Sequence, residues 1–306
     1  MKKIFFAATL SLSATFLFAG EYEDGMLALQ KKEFEQAAKL FEKGSQNGNV
    51  EAKNALAKLY LGFFDKGHKK DIQKARALAR ESAQAGNAEG MYLVFTAFSS
   101  DPEFSFLENG KVDYQKYETL RKRSIKDRAL DIEAYDMLMR SARKNYGLAI
   151  LILGVAYYES IGENNNKKAL NIARAIGPSM PMFEQIRQKL ELVNKLGDTR
   201  ATFKLLVDAQ PNAMMAAMVN VYGISKADKC EAKNVKLVKV NKIGEVEGAE
   251  YLPLKEAGME KVFLISGKWQ ENWTYDVCGK ETVVPMEFTA DGNKGAYFKT
   301  QLALKN

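Results

Sequence analysis

Ser45-Gln-Asn-Gly48-Asn-Val-Glu-Ala52 ends one amphipathic pattern and opens another, and Ala83-Gln-Ala-Gly86-Asn-Ala-Glu-Gly90 does so again. Ala142-Arg-Lys-Asn145-Tyr-Gly-Leu-Ala149 and Val193-Asn-Lys-Leu-Gly197-Asp-Thr-Arg-Ala201 follow the same plan. Each passes through a Gly or Asn at position 48, 86, 145 or 197, residue types that tolerate the left-handed backbone needed just past a helix end. Asn49, Asn87 and Asp198 come next and are able to cap a following helix, whereas Tyr146 stands in that place in the third stretch. Turn chemistry that recurs in this way predicts stacked helix pairs.

Around these turns the flanking residues also repeat. Ala37 falls on Ala75, Leu40 on Leu78, Gln46 on Gln84 and Gly48 on Gly86, at a spacing of 38 residues. Small Ala lets two helices approach closely, and Leu fills the space between layers. The second helix of the pair reads Ala55-Leu56, Leu59-Tyr60 and Gly62, then Asp71 and Lys74-Ala75; a later copy reads Leu153-Gly154, Tyr157, Lys167 and Ala169.

This pattern resembles Sel1-like repeats, relatives of the tetratricopeptide repeat. The likeness is good over residues 34–98, fair over 142–176 and degenerate over 182–222, while 99–141 do not carry the consensus. The resemblance implies an α-solenoid over residues 21–225, irregular at 99–141, that serves as a protein–protein interaction scaffold. It implies no catalytic residue and no cofactor. A plain bundle of Ala-rich helices is the alternative.

Met1-Lys2-Lys3, an apolar run from Ile4 to Phe18 and small Ala19-Gly20 before acidic Glu21-Tyr-Glu-Asp24 read as a secretory signal peptide over residues 1–20. The run is short for a membrane span, and an uncleaved anchor is the alternative. A periplasmic or secreted bacterial protein is expected, with no membrane span after cleavage. Net charge is +7, and loss of Lys2 and Lys3 lowers it by two to +5. The densest basic run, Arg121-Lys-Arg123 with Lys126 and Arg128, reads as the solvated face of a helix. No nucleic-acid partner is expected.

After Tyr222-Gly223 the pattern turns β-branched and alternating. Residues 226–306 are expected to form a small antiparallel β domain, making the chain α+β. Strands are expected at 229–240, 262–265, 271–278, 282–288 and 296–302, with Asp291-Gly292-Asn-Lys-Gly295 as a hairpin turn and Gly279-Lys280 as another. The two cysteines, Cys230 and Cys278, both lie here. In an exported chain they predict one disulfide, tying the first strand to a central one.

Chemistry is sparse. The single histidine, His68, sits in an expected turn and lacks the companions of a triad or a zinc site. Ser141-Ala-Arg-Lys144 matches a bare Ser-x-x-Lys, without Ser-Asp-Asn or Lys-Thr-Gly elsewhere. Trp269, Trp273 and Tyr275 are spaced either to fill the core of a sheet or to form a platform for a saccharide or peptide. Met214, Met215 and Met218 are spaced either to seal the last helix against the β domain or to form an adaptable apolar surface. No metal ligands and no nucleotide motif are found. The expected function is a non-enzymatic exported scaffold with a protein partner in the envelope or host. Binding of peptidoglycan or another cell-wall saccharide is the alternative, and a β-lactam hydrolase a remote one.

Overall fold

The computed structural model describes residues 10–64, 69–108, 111–224 and 229–301, with side chains from residue 20 onward. His68 and the first nine residues of the expected signal peptide lie outside the described residues. By contacts the chain divides into two units, residues 1–114 with 129–149 and residues 115–128 with 150–306.

The first unit is helical: α1 (Leu10–Gln30), α2 (Phe34–Gln46), α3 (Val50–Leu61), α4 (Ile72–Gln84), α5 (Ala88–Ser99) and α7 (Ala129–Arg143). A two-residue-per-strand hairpin, β1 (Leu107–Glu108) with β2 (Lys111–Val112), follows α5. Helices adjacent in sequence pack on one another from α1 to α5, and α5 packs on α7; α3 also touches both α1 and α5. Fully buried Ala37, Phe41, Ala52 and Ala55 form one apolar cluster, and Ala75, Ala79, Met91 and Leu93 another. Tyr60 and Leu78 pack against both.

The turns are built alike. After α2 the Gly48 amide donates to Ser45 O and the Asn49 amide to Gly44 O; after α4 the Gly86 amide donates to Ala83 O and the Asn87 amide to Ser82 O. Asn145 and Tyr146 repeat this with Ala142 O and Ser141 O. Asn49 Oδ1 then accepts from the Ala52 amide at 2.7 Å, and Asn87 Oδ1 from the Gly90 amide at 2.9 Å, capping α3 and α5.

The second unit contains α6 (Tyr114–Arg121) apart from its first residue, most of α8 (Gly147–Glu159), then α9 (Asn165–Ile176), α10 (Pro181–Leu196) and α11 (Phe203–Tyr222). Its five-stranded sheet has the order β3 (Gly197–Asp198), β4 (Val235–Tyr251), β5 (Leu264–Val277), β6 (Lys280–Ala290), β7 (Ala296–Thr300). β3 runs parallel to β4, and the other pairs are antiparallel. α11 lies on β4 through β7, and α10 on β4. Alternate residues of β5, from Trp269 to Val277, face inward with Val284, Met286 and Phe288 of β6.

Several expectations need correction. Gly197 does not join two helices by a left-handed turn. It has φ 129° and ψ −151°, lies in β3 and pairs with Val240; a Cβ there would stand 2.3 Å from Val240 O. Thr202, not Asp198, caps α11 through the Leu205 amide at 3.2 Å. Two expected strands are one, since β5 continues through Ser266-Gly267-Lys268, and β4 extends past Val240 to Tyr251 through a Gly- and Glu-rich stretch. The basic run is not simply a solvated face. Arg128 is buried and donates to Gly292 O at 2.8 Å, and Arg121 donates to Asp291 O at 3.3 Å, so residues 115–128 grip the β6–β7 turn.

Cys230 and Cys278 form a disulfide, with Cα atoms 6.0 Å apart. Cys278 sits not within a strand but in the two-residue turn Cys278-Gly279 between β5 and β6, where both residues have positive φ.

Candidate functional site

Helices α2, α3 and α4 line an open groove of about 540 Å³ on the first unit. α2 supplies Glu42, Ser45 and Gln46, α3 supplies Lys53, Leu56 and Tyr60, and α4 supplies Lys74, Leu78 and Glu81. Gly48 lies at its lip, where no side chain intrudes. Leu56, Tyr60 and Leu78 form an apolar floor. The rim is charged and paired: Lys53 Nζ is 2.7 Å from Glu81, and Lys74 Nζ lies 5.3 Å from the Tyr60 ring centroid. An apolar floor with a charged rim suits a polypeptide segment, whose side chains alternate between the two.

A polar ladder holds the neighbouring helices in register. Buried Asn54 of α3 donates through Nδ2 to Asn87 Oδ1 at 3.0 Å and to Glu89 Oε2 at 3.1 Å. Lys58 Nζ and the Tyr146 hydroxyl both donate to Glu89 Oε1, at 2.9 and 3.3 Å. Burial and the Glu89 charge push the Tyr146 hydroxyl up to about 12, so it remains a donor at neutral pH. Ser141 is fully buried, and its Oγ donates to Ala88 O at 2.6 Å. Its hydroxyl is thus engaged as an interhelix tie.

The aromatic triplet lies inside the second unit. Trp269, Trp273 and Tyr275 are each at most 2% exposed, so they offer no surface platform. Trp269 stacks on Phe288 with centroids 5.0 Å apart. Between the tryptophans, Glu271 is fully buried and takes four donors. Oε1 accepts from Trp269 Nε1 (3.1 Å) and the Arg200 amide (2.9 Å); Oε2 accepts from Trp273 Nε1 (3.0 Å) and Thr199 Oγ1 (2.7 Å). The Arg200 guanidinium, 3% exposed, bonds Glu163 at 2.8 Å and Gly244 O at 3.2 Å. Burial raises the Glu163 carboxyl, but the bond to Arg200 and the charges of Arg200 and Lys242 outweigh it and hold the group below its ordinary value. The knot fixes the 197–202 loop to the sheet. No motif in the sequence marks Glu271, although the two-residue period puts it on the face of both tryptophans.

Met218 is buried under the sheet, Met214 packs partly against the same core, and Met215 is 55% exposed. Among the described residues no group of three or more His, Cys, Asp or Glu is arranged to hold a metal ion. Comparisons with protein-family models, with curated proteins and with solved structures each return no match.

Proposed function

We propose that the chain is an exported, non-enzymatic scaffold whose Sel1-like α-solenoid presents the α2–α3–α4 groove to an extended segment of an envelope or host protein. The observation that carries this reading is the groove itself, an apolar floor of Leu56, Tyr60 and Leu78 framed by charged residues of three successive helices, with Lys53 paired to Glu81. The repeated turns support it, because identical turns stack helices at a constant offset and leave a continuous furrow. The Cys230–Cys278 disulfide supports an oxidising compartment. The engagement of the Ser141 hydroxyl with Ala88 O supports a role without acyl transfer, since a nucleophilic Ser needs a free Oγ beside a base.

Site-specific photocrosslinking in the native host tests the proposal. A crosslinker at Lys53 should give a discrete adduct that is lost when Leu78→Glu charges the floor. A crosslinker at exposed Glu103, which does not line the groove, should give none. Equal adducts from both positions, or adducts indifferent to Leu78→Glu, would refute a groove-borne partner.

A further inference from the structure

A cleft of about 640 Å³ lies within the second unit, among α6, α8, α10, α11 and the β6–β7 turn. Its size falls in the roughly 300–1,000 Å³ range of small-molecule sites. Tyr117, Tyr158 and Phe203 line it, with Leu205 and Val207 beside them. The charges around these rings are largely compensated. Lys204 pairs with Asp208 one turn along α11. Lys189 Nζ lies 5.5 Å from the Phe203 ring centroid. Asp291 Oδ1 accepts from the Asn293 and Gly295 amides at 2.7 and 3.0 Å, and Oδ2 accepts from the Tyr117 hydroxyl at 3.0 Å. Glu159 stands exposed at the rim, where solvent screens it.

A charged ligand would therefore find little unanswered counter-charge. A wholly apolar ligand would strip water from the exposed Asp208 carboxylate without replacing its hydrogen bonds, and would leave the lining Thr202 hydroxyl unanswered. A ligand with apolar C–H faces and neutral hydroxyl edges meets both demands. C–H groups carry a slight positive charge and rest on the negative face of an aromatic ring, and a carboxylate already paired on one side keeps free lone pairs for hydroxyl donors. We propose that this cleft binds a neutral saccharide, with its C–H faces against Tyr158 and Phe203 and its hydroxyls toward Thr202 and Asp208. The site is separate from the α2–α3–α4 groove and does not rest on the reading given to that groove.

Calorimetric titration of the full chain with cellotetraose and chitotetraose, and with tetragalacturonate as an anionic comparison, tests the proposal. At least one neutral tetrasaccharide should bind with Kd of about 1 mM or tighter. Affinity should fall at least about tenfold in Phe203→Ala and in Val207→Glu. Val207 is 48% exposed, so its replacement leaves the core intact, which the unfolding midpoint checks. Glu103→Gln, at an exposed position that lines neither cleft, should leave saccharide binding unchanged. Lack of binding by both neutral sugars at about 1 mM would overturn the proposal. So would equal or tighter binding of tetragalacturonate, or unaltered affinity in folded Val207→Glu.

Discussion

Gly48 and Gly197 both have positive φ, but for different reasons. Gly48, at φ 89°, meets nothing where a Cβ would stand, so Gly48→Ala adds only left-handed strain of about 1–2 kcal/mol. Gly197 occupies a region open essentially to glycine alone, and its Cβ would strike Val240 O. Gly197→Ala should therefore cost about 3 kcal/mol or more, and urea unfolding of the two variants should show that order. Glu271→Gln keeps the shape but turns an amide NH2 toward groups that are themselves donors. It should cost roughly 2–4 kcal/mol in the same assay, because one or more buried N–H or O–H groups lose their acceptor. Glu163 adds a pH signature. Its folded value lies below the unfolded one, so its stabilisation is whole above the ordinary carboxylate value of 4.5 and is lost as pH falls through the depressed folded value. The stability gap between the wild type and Glu163→Gln should accordingly be widest above pH 4.5 and close toward acid; a gap that widened toward acid would contradict the assignment.

Within the helix pairs, the crossing point repeats with its side chains exchanged. Gly44 of α2 faces Ala52 of α3, where a Cβ on Gly44 would lie 2.9 Å from the Ala52 Cβ. Thirty-eight residues on, Ser82 of α4 faces Gly90 of α5, and a Cβ on Gly90 would lie 2.2 Å from Ser82 Oγ. One partner of each pair is Gly, so the helices touch closely. Gly90→Ala should destabilise by about 1–3 kcal/mol through overpacking. Adding Ser82→Gly recreates the Gly44–Ala52 arrangement and should recover part of that loss; thermal unfolding of the single and double variants would show strict additivity if the positions did not share the crossing. The turns and caps beside these crossings are legible in the sequence because their signals act within a few residues of each other, whereas the Gly44–Ala52 and Ser82–Gly90 contacts join separate helices and carry no such local mark. The 182–222 stretch departs from the 34–98 pattern: α11 packs on a sheet formed later in the chain, which changes what its faces must bury. β4 beyond Val240 was missed for a related reason. Its Gly and Glu residues carry little strand propensity, and pairing with β5 decides its conformation. Nothing near Arg128 in the sequence signals its burial, because its acceptor, Gly292 O, lies 164 residues away.

For the molecule as a whole, a change of composition near residue 225 is not where the contacts divide. The helices from Ile150 onward group with the sheet, and so do residues 115–128. Among the described residues no helix is long and apolar enough to cross a membrane, and the disulfide fits a secreted or periplasmic location. The N-terminal charge and apolar run predict a cleavable signal, so intact-mass measurement on protein from its native host should show loss of about 19 or 20 residues. The disulfide closes a loop with a sequence separation of 48, worth about 4 kcal/mol by chain entropy. That cannot by itself make residues 226–306 an independent domain. The inner face of the sheet, with Trp269, Trp273, Val284, Met286 and Phe288, is covered by α11, which lies outside that fragment. Glu271 would also lose Thr199 Oγ1 and the Arg200 amide, leaving a buried carboxylate short of half its donors. The β6–β7 turn would lose Tyr117, Arg121 and Arg128. A fragment of residues 226–306 with its disulfide intact should accordingly bind the dye ANS and lack a cooperative thermal transition. A fragment of residues 150–306 regains α11 and the 197–202 loop, and should melt cooperatively but below the intact chain, since it still lacks 115–128. A cooperative, dye-free melt from 226–306 alone would mean that the sheet needs neither its helical cover nor the Glu271 knot.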